Sequence, residues 1–196
     1  MQQHPLLRQG VRGRRLLLRH GMGRHLRPDR GNVVPMSKGG KTRVLFLCTG
    51  NSCRSQMAET ILRQIGGDRF EAMSAGSRPA GFIHPLAVEA LAALQVPVGE
   101  PVSKSWDEFA GKPVDVVVTV CDAAAAEACP VFPGAALRAH WSLPDPVYHP
   151  GTDEERLAFA IAVAQRLRAK IEGLVALDWS APPKELQRRL QFLGEI

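Results

Sequence analysis

The sequence predicts an α/β fold, an open four-stranded parallel sheet flanked by helices, and three observations carry that prediction. Short, mostly apolar runs recur at Val44–Leu47, Phe70–Ala75, Val114–Val120 and Leu137–Trp141. Strands of this kind are covered on both faces, as parallel sheets require. Segments with helical periodicity or helix-start signals separate them, and such alternation is the pattern of parallel sheets. The residues with chemical potential fall just after the predicted strands, where open α/β sheets build their sites.

In chain order, Val44–Leu47 reads as a buried strand that stops at Cys48. A helical pattern runs from Ser55 to Ile65 and is closed by Gly66-Gly67. Phe70–Ala75 is the second strand, ending in Ser74-Ala75-Gly76. His84-Pro85 opens a helix to about Leu94, with Pro in its first turn. Ser105-Trp106-Asp107-Glu108 is a capping box opening a short helix. Val114–Val120 is the third strand, ending at Cys121, and Leu137–Trp141 the fourth. Thr152 to Glu155 is a second capping box, and Leu157, Ile161, Ala164, Leu167, Ile171 and Leu174 mark one apolar helical face. A last amphipathic helix spans Pro183 to Leu193. No internal repeat is visible.

The chain has 196 residues and 45% hydrophobic content, enough for one domain with a buried core. No apolar stretch reaches the roughly 18 residues a membrane span needs. The net charge of +6 is unevenly placed: residues 1–35 carry eight Arg and one Asp, and the rest is nearly neutral. A basic patch for nucleic acid would rest on that leader alone, so no specific nucleic-acid partner is expected. The leader is rich in Arg and Gly and lacks sustained periodicity. It reads as a disordered arm or as a segment before the true start, with Met36 a few residues ahead of the first strand. A targeting or binding arm is the lesser alternative. The domain boundary is expected near residue 41, with residues 42–196 forming the folded part. Four Cys suit a reducing cytoplasm.

The chemistry concentrates in Cys48-Thr49-Gly50-Asn51-Ser52-Cys53-Arg54-Ser55. A thiol and an Arg stand six positions apart, with five small or polar residues between them, after a strand and before a helix. Such a loop can curl so that its N–H groups converge, and the helix N-terminus aims its dipole at the same point. A tetrahedral dianion fits there, and Arg54 can grip two of its oxygens. The same positive field is expected to lower the pKa of Cys48 and make it a thiolate nucleophile. Asn51, in mid-loop, tolerates a left-handed backbone. Ser55 is a plausible helix N-cap.

Cys121 and Cys129 stand eight positions apart around an Ala-rich segment. They read as two buried thiols, as metal ligands with His140 and His149, or as a redox pair. Their spacing is too wide for a zinc knuckle. The redox reading fits best, because a short Ala-rich segment can be helical and can also rearrange to let the sulfurs meet. Asp145-Pro146, after Trp141-Ser142-Leu143-Pro144, lies in a loop stiffened by prolines. His84, His140 and His149 are expected to be structural.

These runs resemble the low-molecular-weight protein tyrosine phosphatase superfamily, over roughly Thr42 to Leu177, and within it the arsenate reductase branch. The resemblance implies that Cys48 is the nucleophile, that the loop from Thr49 to Cys53 and Arg54 binds the oxyanion, and that Ser74 holds Asn51. It also implies that Ser55 donates a hydroxyl to the Cys48 thiolate and that Asp145 is the general acid. Cys53 is expected to pack, with the option of trapping Cys48 in a disulfide under oxidation. Arsenate would be the substrate, with phosphate and sulfate as analogues. Cys121 and then Cys129 would act as resolving thiols, with no metal and no cofactor. In thioredoxin-coupled relatives the two cysteines are usually seven apart, with Gly after the first. Here the loop is one residue longer and Asp122 stands in place of that Gly, so thioredoxin and glutathione with glutaredoxin both stay open as donors. The rivals are a phosphatase of tyrosine phosphate or small phosphoesters, which needs no second thiol pair, and a non-enzymatic thiol sensor or arsenic-binding protein. The phosphatases tend to carry aromatics after Asp-Pro, where this chain has Val147 and a single Tyr148.

Overall fold

The computed structural model describes residues 40–126, 132 and 137–196. The basic leader and Cys129 therefore lie outside the described residues. Four strands form one sheet: β1 (Thr42–Cys48), β2 (Phe70–Gly76), β3 (Val116–Thr119) and β4 (Leu137–His140). Their order is β2-β1-β3-β4 and every pairing is parallel. β1 is central, and its last residue, Cys48, lies opposite Gly76 of β2. The predicted ends at Val114–Val120 and Leu137–Trp141 are longer than the strands, yet the ladder carries on past them. Asp115 N–H donates to Arg43 O at 3.0 Å, Val120 N–H to Leu47 O at 2.8 Å, and Trp141 N–H to Thr119 O at 2.8 Å.

Successive side chains of a strand point to opposite faces, and this divides the core in two. Val44 and Phe46 of β1, with Val116 and Val118 of β3, join one cluster with Met57, Ile61, Leu167, Ile171 and Leu190. Leu45, Leu47 and Val117 face the other way, against Phe109, Val114 and Phe132. Burying a side chain of this size stabilises the fold by about 1.5–3 kcal/mol.

Helices α1 (Arg54–Gly66), α2 (Pro85–Ala93), α3 (Asp122–Ala126), α4 (Asp153–Val175) and α5 (Pro183–Glu195) complete the fold, with short 3-10 turns at Gly67–Arg69 and Trp106–Phe109. Both predicted capping boxes form, at Ser105–Glu108 and Thr152–Glu155. The first opens a single 3-10 turn, which Gly111 soon ends with a positive φ of 79°. The buried stripe of α4 is Ala160, Val163, Ala164, Leu167, Ile171 and Leu174. Leu157 and Ile161 are only half-buried, a rotation from the expected face. Lys170 is also buried, because its ammonium caps the end of α5: it donates to Leu193 O at 2.7 Å, Gly194 O at 3.1 Å and Ile196 O at 2.5 Å.

Candidate active site

The loop between β1 and α1 is shaped by its neighbours. The carbonyls of Cys48, Thr49, Gly50 and Ser52 accept from the N–H groups of Ser77, Arg78, Ala80 and His84, at 3.3, 2.9, 2.8 and 2.9 Å. A peptide's C=O and N–H point opposite ways across a planar bond. Carbonyls drawn outward therefore turn the N–H groups of Thr49, Gly50, Asn51 and Cys53 inward. The Asn51 N–H shows this directly, donating to Cys48 Sγ at 3.0 Å. With α1 starting at Arg54, the result is an anion nest facing a helix N-terminus.

Asn51 adopts the left-handed backbone expected of it, with φ 44°. Its side chain is wholly buried and fully bonded. Nδ2 donates to Ser55 Oγ and Ser74 Oγ, both at 2.9 Å, and Oδ1 accepts from Lys104 N–H at 2.7 Å and Gln56 Nε2 at 3.0 Å. Ser55 is not the N-cap. Cys53 holds that position, without a side-chain cap, and Ser55 lies one residue inside the helix. Its Oγ instead sits 2.8 Å from Cys48 Sγ. Since that oxygen accepts from Asn51, its own hydrogen is free to point at the sulfur.

Burial is the largest influence on the Cys48 thiol and pushes its pKa up; the Ser55 hydroxyl and the N–H groups of Asn51 and Ser55 pull it back, and the nearby Cys121 adds to the rise. The expected depression by a positive field is thus overturned. The reason is burial, which outweighs the groups that favour the thiolate; Arg54 for its part forms an ion pair with Asp145 and donates to Leu143 O at 2.8 Å. Cys53 is buried, and burial pushes its thiol up to about 12, in keeping with packing.

The same ion pair brings Asp145 to the loop. Its other oxygen accepts from Val147 N–H at 3.0 Å, which closes the Asp-Pro turn. Cys121, two residues past β3 and directly before α3, is buried, with its sulfur 3.7 Å from Thr49 Oγ1 and 3.4 Å from Ala124 N. Cys48, Cys121, Arg54 and Asp145 line one cleft of about 830 Å³, with Thr49, Gly50, Ser52 and Cys53 in its floor and Phe82 and Tyr148 among its walls. Of the predicted site residues, Ser74 stays behind the loop as a support, and Cys129 lies outside the described residues.

This arrangement offers a tetrahedral-anion cradle, a thiol at its base, a carboxyl beside the Arg and a second thiol nearby. The family profile for low molecular weight phosphotyrosine protein phosphatase matches residues 43–191. The chain belongs to this family. Among its relatives, the arsenate reductase of Halalkalibacterium halodurans is 40% identical over 131 residues, which is 67% of this chain and 90% of that protein. The arsenate reductase of Bacillus subtilis is 41% identical over 128 residues, 65% of this chain and 88% of that protein. Among solved structures, an arsenate reductase in its phosphate-binding state matches with a TM-score of 0.56 at 25% identity, covering 69% of this chain and 97% of that one. A thioredoxin-dependent arsenate reductase of Corynebacterium glutamicum matches with a TM-score of 0.50 at 27% identity, covering 71% and 68%.

Several residues of this phosphatase-family site escaped the sequence reading. Glu59, buried on α1, takes a short hydrogen bond from Ser74 Oγ, pairs with Arg63 and accepts from Lys104 Nζ at 3.3 Å. The signal existed: Ser55 and Glu59 are four apart, hence on one helix face. Gln56 braces Asn51 and also donates to Val102 O at 2.8 Å. Gly76 has no room for a Cβ, which would meet Thr49 O at 2.5 Å. His84 caps α2, its ring accepting from Leu86 N–H at 3.2 Å, and it also lines the cleft. His149 stacks on Phe159 at 3.8 Å between ring centroids.

Proposed function

We propose that this chain reduces arsenate to arsenite, with Cys48 as nucleophile. The observation that carries this reading is Cys121, a second buried thiol at a strand end beside the Cys48 loop, in a chain whose curated relatives are arsenate reductases. Phosphoester hydrolysis alone has no use for that thiol.

In the proposed cycle the inward N–H groups and Arg54 hold arsenate while the Cys48 thiolate forms a bond to arsenic. Arsenate displaces the Asp145 carboxylate from Arg54, and Asp145, having taken up a proton, gives it to the oxygen that departs as water. Cys121, as thiolate, then attacks the Cys48 sulfur. A disulfide forms, the sulfur–arsenic bond breaks, and its electron pair stays on arsenic, which leaves as arsenite. Two thiols have lost two electrons, and arsenic has gained them. Cys129 next attacks the Cys121 sulfur and frees Cys48 as thiolate, and an external dithiol or thiol reduces the Cys121–Cys129 disulfide. The donor is either thioredoxin or glutathione with glutaredoxin; the likeness to a thioredoxin-dependent enzyme supports trying thioredoxin first. No described helix is long and apolar enough to cross a membrane, and we assign the reaction to the reducing cytoplasm, where free thiols persist.

A second reading, hydrolysis of aryl phosphates, is favoured by Phe82 and Tyr148. Both are largely exposed, at 56% and 85%, and both line the cleft. One assay separates the two. Arsenite production is followed with each donor, beside hydrolysis of an aryl phosphate, in the parent, Cys48→Ser and Cys121→Ser. Cys48→Ser should lose both activities, since a hydroxyl is a poor nucleophile at this pH. Cys121→Ser should lose multiple-turnover reduction and keep hydrolysis. Normal arsenate reduction by Cys121→Ser with every donor would sink the relay.

A further inference from the structure

We infer that Asp122 is a positioning residue: with His140 it latches the segment that carries Cys121 to the strand that carries the Asp145 loop, holding the resolving thiol beside Cys48. The inference rests on the reductase reading only for the use made of the latch, not for its existence.

Asp122 directly follows Cys121 and begins α3. Its Oδ1 lies 2.9 Å from His140 Nε2 on β4. The side chains of Ser142 and His140 hold its carboxyl below the usual range. His140 is oriented from behind, since Nδ1 lies 2.8 Å from Thr119 Oγ1 on β3, its partner in the strand register. With a neutral ring, Nε2–H donates to Asp122 and Nδ1 accepts from the Thr119 hydroxyl, whose alternative acceptor is Ala139 O at 3.4 Å. The next residues after His140 and Ser142 lead to Leu143 and Asp145, both held by Arg54. One carboxylate thus ties the second thiol to the strand that leads into the proposed acid's loop.

The strength of the tie suits its use. Cys121 has to stay docked while Cys48 carries arsenic and then swing away to meet Cys129. Asp122 is largely exposed, with 79% of its side-chain surface open, so the pair is weak and releasable. A Gly at this position would supply no such tie and would loosen the backbone as well. The plainer role for Asp122 is an acid in the first turn of a helix, stabilising its dipole. That role does not need His140, so the contact at 2.9 Å distinguishes the two.

The test is alkylation of Cys121 by iodoacetamide, followed by mass spectrometry in the full chain, with no arsenate present. Cys121 is only 3% exposed, so it reacts when the segment opens. Asp122→Ala and His140→Ala should each speed its modification by about two- to tenfold, the range a net hydrogen bond contributes. The double variant should be no faster than either single one. Asp122→Asn keeps an acceptor for His140 and should restore most of the protection. Hydrolysis of an aryl phosphate should stay within twofold of the parent in Asp122→Ala. Parent-like alkylation in Asp122→Ala, or additive effects in the double variant, overturns the latch. A second arm adds arsenate to a Cys129→Ser background, where the Cys48–Cys121 disulfide should accumulate, more slowly once Asp122→Ala is added. If that disulfide never forms while Asp122→Ala still speeds alkylation, the latch stands and the reductase reading falls.

Discussion

At the scale of single residues, Ser55 is the chief support for the ionised form of Cys48. Burial raises the thiol, and the Ser55 hydroxyl is the strongest of the groups that oppose it. Ser55→Ala removes a donor to the thiolate, so the pKa of Cys48 should rise further. Less thiolate is then present at any pH below its titration, and the rising limb of the pH–rate profile moves to higher pH. A hydrogen bond to a charged group is worth enough to slow alkylation of Cys48 by about tenfold near neutrality. Iodoacetamide kinetics against pH read this directly, and an unmoved profile would show that the hydroxyl does not donate to the sulfur. Asp145 is the second case. Asp145→Asn keeps the shape of the turn and should lower the chemical step by roughly 10²–10⁴-fold, the usual value of a general acid. Single-turnover rates with an aryl phosphate check it, and an unchanged rate would reduce Asp145 to a partner of Arg54.

At the scale of elements, α5 clamps β4, the edge strand from which the Asp145 loop departs. Trp141 Nε1 donates to Leu190 O at 3.0 Å, and Gln187 bonds both the N–H and the C=O of Arg138 as a neighbouring strand would. The exposed edge of β4 is thereby covered rather than left to pair with another chain. At Gly194 a Cβ would strike His140 O at 2.3 Å, so the helix end lies hard against the strand. Leu190 is fully buried in this contact. Leu190→Ala should cost about 2–5 kcal/mol and lower Tm by roughly 5–15 °C. Thermal unfolding followed by circular dichroism measures it; a shift below about 2 °C would mean that α5 contributes little to the fold.

At the scale of the whole molecule, the +6 charge belongs to the leader and not to the catalytic domain. Residues 1–35 show no periodic apolar face in sequence, so they have little to bury against the sheet. We propose that the working enzyme is the part from residue 42 onward. A chain starting at Met36 should keep its Tm within about 2 °C and its turnover within a factor of two. Its residual affinity for polyanions should fall, because that attraction scales with the number of basic groups. A clear loss of stability or turnover in the shortened chain would make the leader a part of the enzyme.

Most of the site was legible in one run of sequence. A strand that ends at a Cys and a helix that starts at an Arg six residues on are local facts, so Cys48, Asn51 and Arg54 could be read without a fold. The same holds for the four strands, the capping boxes at Ser105 and Thr152, and the parallel architecture, which follow from periodicity and short-range bonding. Tertiary structure decided what depends on groups far apart in the chain. The ion pair of Arg54 with Asp145 spans 91 positions, and the burial that raises the Cys48 thiol comes from the packed chain around the loop. Glu59 and Lys104 reach Asn51 through Ser74 and a backbone N–H, which no spacing rule relates. Asp122 could be seen as a departure from Gly, but its bond to His140 required β4 to lie beside β3. Burial and charge pairing are properties of the packed chain, and they determine which of the legible residues are ionised, braced or free to move.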